Sequence, residues 1–552
     1  MPYQFNRGAH LGSLVTGRPP AIGRKGAVTS PHYLATLAGY DLMKKGGHAV
    51  DAAIAINAVL CVVYPHMAGI GGDLFALVWD NPRSAIRALN GSGAACGRAT
   101  RRFYGENGHS SIPSRGPLSA ITVPGAVDAW HSLHAEYGKL PWKELFAPAI
   151  DYAQNGFPVT FKLSRFLHRF QDEISRHGEA ARMLLPGGTP AKPGDMMRLP
   201  DLGLSLQQIA EQGAEVFYQG ELARTITGKL EQAGGLMRLD DFQAHRSTWE
   251  PTISTTYRGY EIHQTQPNTQ GIAALMILNY LERFDLSEVG DQSAEYYHLM
   301  AEAAKLAFTY RDRWVTDPKH LDIPIKELLS KDYVEEVLKH LDMNKAGDRE
   351  KHREQLPHIG VNRDTVYMAA VDDEGNAVSL IQSIYHEFGS MYIPEGTGIL
   401  LQNRGSFFAL DQHHPNTLEP GKKTFHTIIP AMALKDGKPF MLYGSMGGEG
   451  QPQTQAALIT RVIDFGYNIQ QAIEAPRWLY GRTWGAATDS FKLEARVASS
   501  VLEMLQTKGH LAEFTVDWSE EMGHAQGIVF DRKQGALSAG ADPRGDGLAL
   551  SW

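Results

Sequence analysis

Asp364-Thr365-Val366-Tyr367-Met368-Ala369-Ala370-Val371, with the return stretch Asn376 to Ser383, is the part of this chain on which the rest turns. A charged, uneven segment, residues 347–358, runs into it, and at Thr365 an apolar β-type run begins abruptly. Asp372-Asp373-Glu374-Gly375-Asn376 supplies the residues that tolerate positive φ in a tight turn, so the two runs read as an antiparallel hairpin. A Thr at the head of a strand is ordinarily satisfied by local hydrogen bonds. If the Asp364–Thr365 bond is cut, however, the new α-amine, with a pKa of about 7.7–8.0, lies beside the Thr365 hydroxyl and can take its proton. Thr365 then becomes an N-terminal nucleophile.

The bulk properties narrow the setting. At 552 residues the chain exceeds the usual single-core size, so two lobes or one large layered domain are expected. A net charge of −8 leaves no basic footprint for nucleic acid. The densest charged stretch, residues 348–354, mixes signs and reads as a solvated linker. Cys61 and Cys96 lie among apolar or small residues, which favours buried thiols over a disulfide. The N-terminal stretch Met1 to Arg7 has no apolar leader core, and no run reaches the length of a membrane span.

Along the chain, residues 32–45 and 49–63 read as paired helices, the second apolar on nearly every face. Residues 126–137, 142–154, 204–212, 223–233 and 296–310 carry helical spacing, and residue 271 opens another buried helix. Residues 257–263 read as one short strand; residues 398–401, 427–434 and 440–444 read as later strands, and 453–465 and 469–474 as helices. Scattered His and Met residues are expected to pack, since no His/Asp/Glu group shows metal-ligand spacing. No cofactor is expected. Ala68-Gly69-Ile70-Gly71-Gly72-Asp73 looks like a phosphate loop but lacks the following Lys-Ser/Thr.

Gly46-Gly47-His48-Ala49-Val50-Asp51-Ala52-Ala53, the hairpin turn, Gly398-Ile399-Leu400-Leu401-Gln402-Asn403, Gly444-Ser445-Met446-Gly447-Gly448 and the tail Gly540 to Gly547 together resemble the γ-glutamyltransferase family. That family consists of N-terminal nucleophile hydrolases that cut themselves before a Thr. The resemblance spans nearly the whole chain and implies an α+β fold, an αββα sandwich of two antiparallel sheets between helical layers. It implies a helix-rich large subunit, residues 1–364, and a small catalytic subunit, residues 365–552, that stay paired. Secreted relatives carry signal peptides, so their lack here points to the cytoplasm.

The resemblance also assigns roles. Ser383 stands where the family has a second Thr that bonds the nucleophile, and Gly447 and Gly448 fall on its oxyanion hole, which needs backbone N–H donors. The substrate grip departs from the family. Ser92 replaces an Arg that holds the γ-glutamyl carboxylate, Phe407 replaces an Asp that holds the ammonium, and His426-Thr427 replace paired serines. Arg404 replaces a Gln, and a bidentate guanidinium is a natural substitute for a lost carboxylate clamp. Asn403 and Tyr385 complete the substrate-facing candidates. The loop 409–422 is shorter than the transferase lid, which implies a more open site. The implied reaction is acyl transfer from a small amide, such as a γ-glutamyl compound like glutathione, through acyl-Thr365 to water or an amine. The alternative is an amidohydrolase for a small carboxylate-bearing amide, similar to the oxamate amidohydrolase branch. Rivals of another class are a nucleotide-binding protein using the two Gly-rich loops and an uncleaved, non-catalytic scaffold.

Overall fold

Alternation about Thr365 becomes two strands, Asp364–Val371 and Ala377–Tyr385, paired antiparallel across a turn in which Asp372 Oδ1 accepts from Glu374 N (3.1 Å) and Asn376 N (2.9 Å). The computed structural model describes residues 16–347, 364–481 and 488–552. The expected linker 348–354 and the N-terminal stretch 1–7 lie outside the described residues.

Because successive side chains of a strand point to opposite faces, the hairpin feeds two cores. Tyr367, Ala369 and Val371 join Phe75, Leu77, Met432 and Leu442 between two sheets, whereas Val366, Met368 and Ala370 pack against helices. The first sheet runs Leu548–Ser551, Ala27–Ser30, Asp364–Val371, Ala377–Tyr385, Asp73–Asp80, Ala85–Gly91, Thr248–Glu250. The second runs Ala21–Gly23, Ala536–Ala541, Ala525–Asp531, Lys438–Ser445, Ala431–Lys435, Tyr260–Gln264, Ile253–Tyr257. Every neighbouring pair in both is antiparallel. The hairpin is central in its sheet, flanked on both sides by strands from before residue 364, with Leu548–Ser551 at one edge.

Helices close both outer faces. Ala49–Val63 is buried along its whole length, and its start is fixed by a capping box between His48 and Asp51. Gly271–Leu281, Ala294–Trp314 and Gln451–Ile463 cover the second sheet through Ala431, Ala433, Met441 and Tyr443. This is the expected αββα sandwich. Each large aliphatic side chain so enclosed contributes about 1.5–3 kcal/mol.

Two strand expectations fail. Residues 398–401 form only an isolated bridge, Gly71 to Leu401, because their polar backbone is shared among several loops: Leu401 N donates to Tyr392 O, and Leu401 O accepts from Ser390 N. Residues 257–263 are not one strand but the corner of a hairpin, turned at Arg258 and Gly259, both at positive φ. Residues 142–154 likewise divide into a 3-10 turn, Trp142–Phe146, and the helix Ala147–Asn155. Both cysteines are buried and free. Among the described residues no helix is long and apolar enough to cross a membrane.

The glycine turn before Asp73 has a packing reason. A Cβ on Gly72 would lie 2.3 Å from Ser383 O, and one on Gly71 would lie 2.2 Å from Leu400 O. The turn lets backbone pass directly against the end of the nucleophile hairpin.

Candidate active site

Thr365 sits at a bulge. Asp364 pairs with Tyr385 and Val366 with Gln382, so Thr365 faces two residues, Ser383 and Ile384, where regular pairing would give one. The bulge loosens the ladder beside the Asp364–Thr365 bond. Thr365 is 1% exposed, and its Oγ1 is buried without a hydrogen-bond partner. A buried hydroxyl left unpaired is costly.

Across the hairpin, Ser383 Oγ accepts from Tyr385 N at 2.8 Å and from Arg404 Nη2 at 3.2 Å. The first bond helps hold Tyr385 at φ 82°, a backbone state that costs a non-glycine residue on the order of 1–2 kcal/mol. Arg404 opens the 3-10 turn Arg404–Phe407 and is fully buried. Its guanidinium lies 4.1 Å over the Tyr385 ring, and Nη1 reaches Thr427 Oγ1 at 3.4 Å. Arg404 is therefore part of the site and not a surface charge.

The glycine loop meets this group through Gln270, which the sequence did not single out. Gln270 Nε2 donates to Thr427 O at 2.7 Å and to Gly448 O at 2.8 Å, while Arg311 holds its Oε1 at 3.0 Å. Gly447 (φ 123°) and Gly448 (φ 51°) then lead through a short 3-10 turn into the helix Gln451–Ile463, whose N-terminus favours negative charge. The loop is also pressed onto the strand Asp364–Val371, since a Cβ on Gly444 would lie 2.4 Å from the Tyr367 ring.

His426 lies 3.0 Å from Asp73 Oδ2 and edge-on to Phe75. Burial, reinforced by the Arg404 cation, pushes the His426 imidazolium down to about 4, so the ring is neutral near pH 7. Asp73, also missed from sequence, is a fully buried anchor. Its Oδ1 accepts from Gly93 N and Gly125 N at 3.2 Å each and from Gln402 Nε2 at 2.9 Å.

The other candidates divide. Asn403 is committed to the framework, its amide bonded to His386 N (3.0 Å) and Ser114 O (2.7 Å). Ser92 is enclosed, its Oγ donating to Asn90 Oδ1 at 2.7 Å and accepting from Asn268 Nδ2 at 3.3 Å. Phe407 stacks on Phe425 at 4.9 Å and meets Tyr385 edge-on, forming an aromatic wall. The loop 409–422 is tied inward through Asn416, whose Nδ2 bonds Phe407 O and Thr424 Oγ1 at 3.0 Å each.

Away from this site, folding also brings His298, Glu302 and His510 together, a grouping that the sequence spacing did not reveal. Lys305 Nζ lies 2.7 Å from Glu302 Oε1 and His298 Nδ1 lies 2.8 Å from His510 Nε2, so these groups already satisfy one another.

Two stacked antiparallel sheets between helices, with a buried Thr heading a central strand, define the architecture of N-terminal nucleophile hydrolases. The family model described as Gamma-glutamyltranspeptidase matches residues 35–552, and the chain belongs to that family of enzymes. It is 46% identical to the glutathione hydrolase-like YwrD proenzyme of Bacillus subtilis, over 96% of this chain and 99% of that one. It is 39% identical to the oxamate amidohydrolase proenzyme of Klebsiella pneumoniae, again over 96% and 99%. The crystal structure of cephalosporin acylase from Bacillus halodurans superimposes with a TM-score of 0.89 at 35% identity, covering 97% of each chain. This membership supports amide hydrolysis or transfer and gives no support to the nucleotide-binding and scaffold readings.

Proposed function

We propose that the chain cuts itself between Asp364 and Thr365 and that Thr365 then transfers acyl groups from a small amide to water or an amine. The observation that carries this reading is the buried, unpartnered Thr365 hydroxyl at a bulge, beside a contact chain running Ser383, Arg404, Thr427, Gln270, Gly448. The fragments would stay together, because residues 27–30 and 73–80 flank the hairpin strands in one sheet.

In the mature enzyme the Thr365 α-amine takes the Oγ1 proton as the oxygen attacks the amide carbonyl. Gly447 and Gly448 N–H groups at the helix N-terminus receive the developing oxyanion. The α-ammonium returns its proton to the departing amine, leaving an acyl ester on Thr365; water or an acceptor amine, deprotonated by the same α-amine, then displaces Thr365 Oγ1. Arg404 is bonded to Ser383, across the hairpin from Thr365, and a cation on that side of the new amine would lower the amine's pKa and keep more of it unprotonated near neutrality.

For the substrate we favour an acyl group with an oxygen-rich end that Arg404 and Thr427 can grip. The relatives' names, glutathione hydrolase-like, oxamate amidohydrolase and cephalosporin acylase, agree with an amide of that kind. Release of ammonia or amine from γ-glutamyl, glutaryl and oxamyl amides tests the reading. Turnover of at least one of them that disappears in Thr365→Ala is expected, and turnover that survives the substitution contradicts it.

A further inference from the structure

Gly447 and Gly448, which lead into the helix Gln451–Ile463, have no side chains to hold their own peptide planes, and both stand at positive φ, 123° and 51°. Turning either plane over exchanges an N–H donor for a carbonyl oxygen. Oxyanion donors built from such residues therefore need their carbonyls held from outside.

The first plane is held within the loop. Gly447 O accepts from Gly450 N at 2.8 Å, and because a trans peptide is planar, the Gly448 N–H of the same plane points the opposite way. The second plane is held by a side chain from a distant segment. Gly448 O accepts from Gln270 Nε2 at 2.8 Å, and the same amide nitrogen donates to Thr427 O at 2.7 Å. Arg311 Nη1 in turn donates to Gln270 Oε1 at 3.0 Å, so the buried carboxamide is fixed in one orientation, and the cation on its oxygen strengthens donation from its nitrogen. The backbone places Gln270 for this task. Its N donates to His426 O at 2.9 Å, and the next residue, Gly271, starts a helix so close to Thr265 that a Cβ there would lie 2.7 Å from the Thr265 carbonyl oxygen.

The loop does not need Gln270 in order to reach its place. Ile429 N donates to Gln451 Oε1 at 3.0 Å and Ile429 O accepts from Gln455 Nε2 at 2.8 Å, which ties the segment after Thr427 to the helix after Gly448 independently. What Gln270 adds is orientation at Gly448. Gln270 and Arg311 precede residue 364, whereas Thr427 and Gly448 follow it, so after a cut before Thr365 that orientation would come from the other fragment.

We propose that Gln270, backed by Arg311, is a positioning residue for acyl transfer. It locks the plane that follows Gly448, so that the Gly448 N–H, fixed on its other side by Gly450, stays turned toward the developing oxyanion. The role rests on the acyl-Thr365 reading and adds to it a residue of the large fragment.

Gln270→Met nearly keeps the side-chain shape and removes both donors, and Gln270→Glu sets a carboxylate oxygen against two carbonyls. Steady-state kinetics with the γ-glutamyl, glutaryl and oxamyl amides, beside intact masses of each variant, read the effect. Both variants are expected to be cut before Thr365 and to lower kcat by about tenfold to a hundredfold with KM within about threefold, a smaller loss than removal of a donor brings. Because Gln270 acts through the loop, Gln270→Met combined with Gly447→Ala should lose at most about threefold more than Gly447→Ala alone, where independent damage would multiply. A kcat within about twofold of wild type in both variants, a loss on KM alone, losses that multiply in the double variant, or variants left uncut would overturn the proposal. A wild type that turns over none of these amides, or whose turnover survives Thr365→Ala, fails at the earlier step and removes the acyl-Thr365 reading together with this role.

Discussion

At the Thr365 end of the site, the reacting groups are held by backbone: a bulge, a strained Tyr385, and a glycine loop pressed between Tyr367 and Gln270. At Asn90, by contrast, the side chains of Ser92, Lys423, Glu250 and Asn268 meet through one amide. Backbone placement makes the first end intolerant of change, because a misplaced donor loses most of its effect on the transition state. Side-chain placement makes the second end easier to change, since a substituted residue there leaves the backbone around Thr365 in place.

The contrast sets an order of effects. Thr365→Ala should abolish turnover, a loss on the order of 10^4-fold or more measured at saturating substrate. Gly447→Ala comes next: at φ 123° a side chain strains the loop and displaces its backbone N–H donors, which should lower kcat by about two to three orders of magnitude with KM little changed. An effect of the same size on KM alone would show that the glycine loop belongs to recognition and would blur the division.

Arg404→Gln should raise KM by about tenfold and also shift the pH profile. Activity is expected to rise with pH as the Thr365 amine, near 7.7–8.0 in isolation, loses its proton. Arg404 lowers that midpoint, so the substitution should move it upward by about one unit. A midpoint that stays put in Arg404→Gln would separate Arg404 from the reacting end.

Smaller effects concern stability. His426 is held neutral, down to about 4 against an ordinary 6.5. A depressed folded-state pKa means that its contribution is fully present above pH 6.5 and is lost as pH falls through 4. Denaturant titrations across that window should show a shallower acid loss for His426→Gln than for the wild type. Gly444→Ala should cost about 1–3 kcal/mol by forcing a methyl group into the Tyr367 ring, read as a lower urea midpoint.

The hairpin and the glycine loop of the candidate site were legible in the sequence because their signals are local: an apolar strand beginning about Thr365, turn residues after it, and paired glycines before a helix. The sandwich was legible for a similar reason, since two-residue alternation and helical spacing report which face is buried. Asp73, Gln270, Asn90, Glu250 and Lys423 were not legible. Nothing near Glu250 in the sequence indicates that Asn90 lies across a strand pair from it, or that Lys423 arrives from more than 170 residues downstream. The Gly71-Gly72 turn was set apart from a phosphate loop by its missing Lys-Ser/Thr, but the reason for its glycines, close backbone passage, emerges only when Ser383 O is seen beside it. His298 and Glu302 are one helical turn apart, but His510 joins them only through the fold.

The central claim is that a bulge and a free hydroxyl make Thr365 the site of both self-cleavage and catalysis. Intact-mass and N-terminal sequencing of the purified wild-type protein, run beside Thr365→Ala, tests it most directly. We expect two fragments from the wild type, the smaller beginning at Thr365, and one uncut, inactive chain from the variant. A wild-type protein that is fully active as a single chain, or one cut anywhere other than before Thr365, would contradict the account.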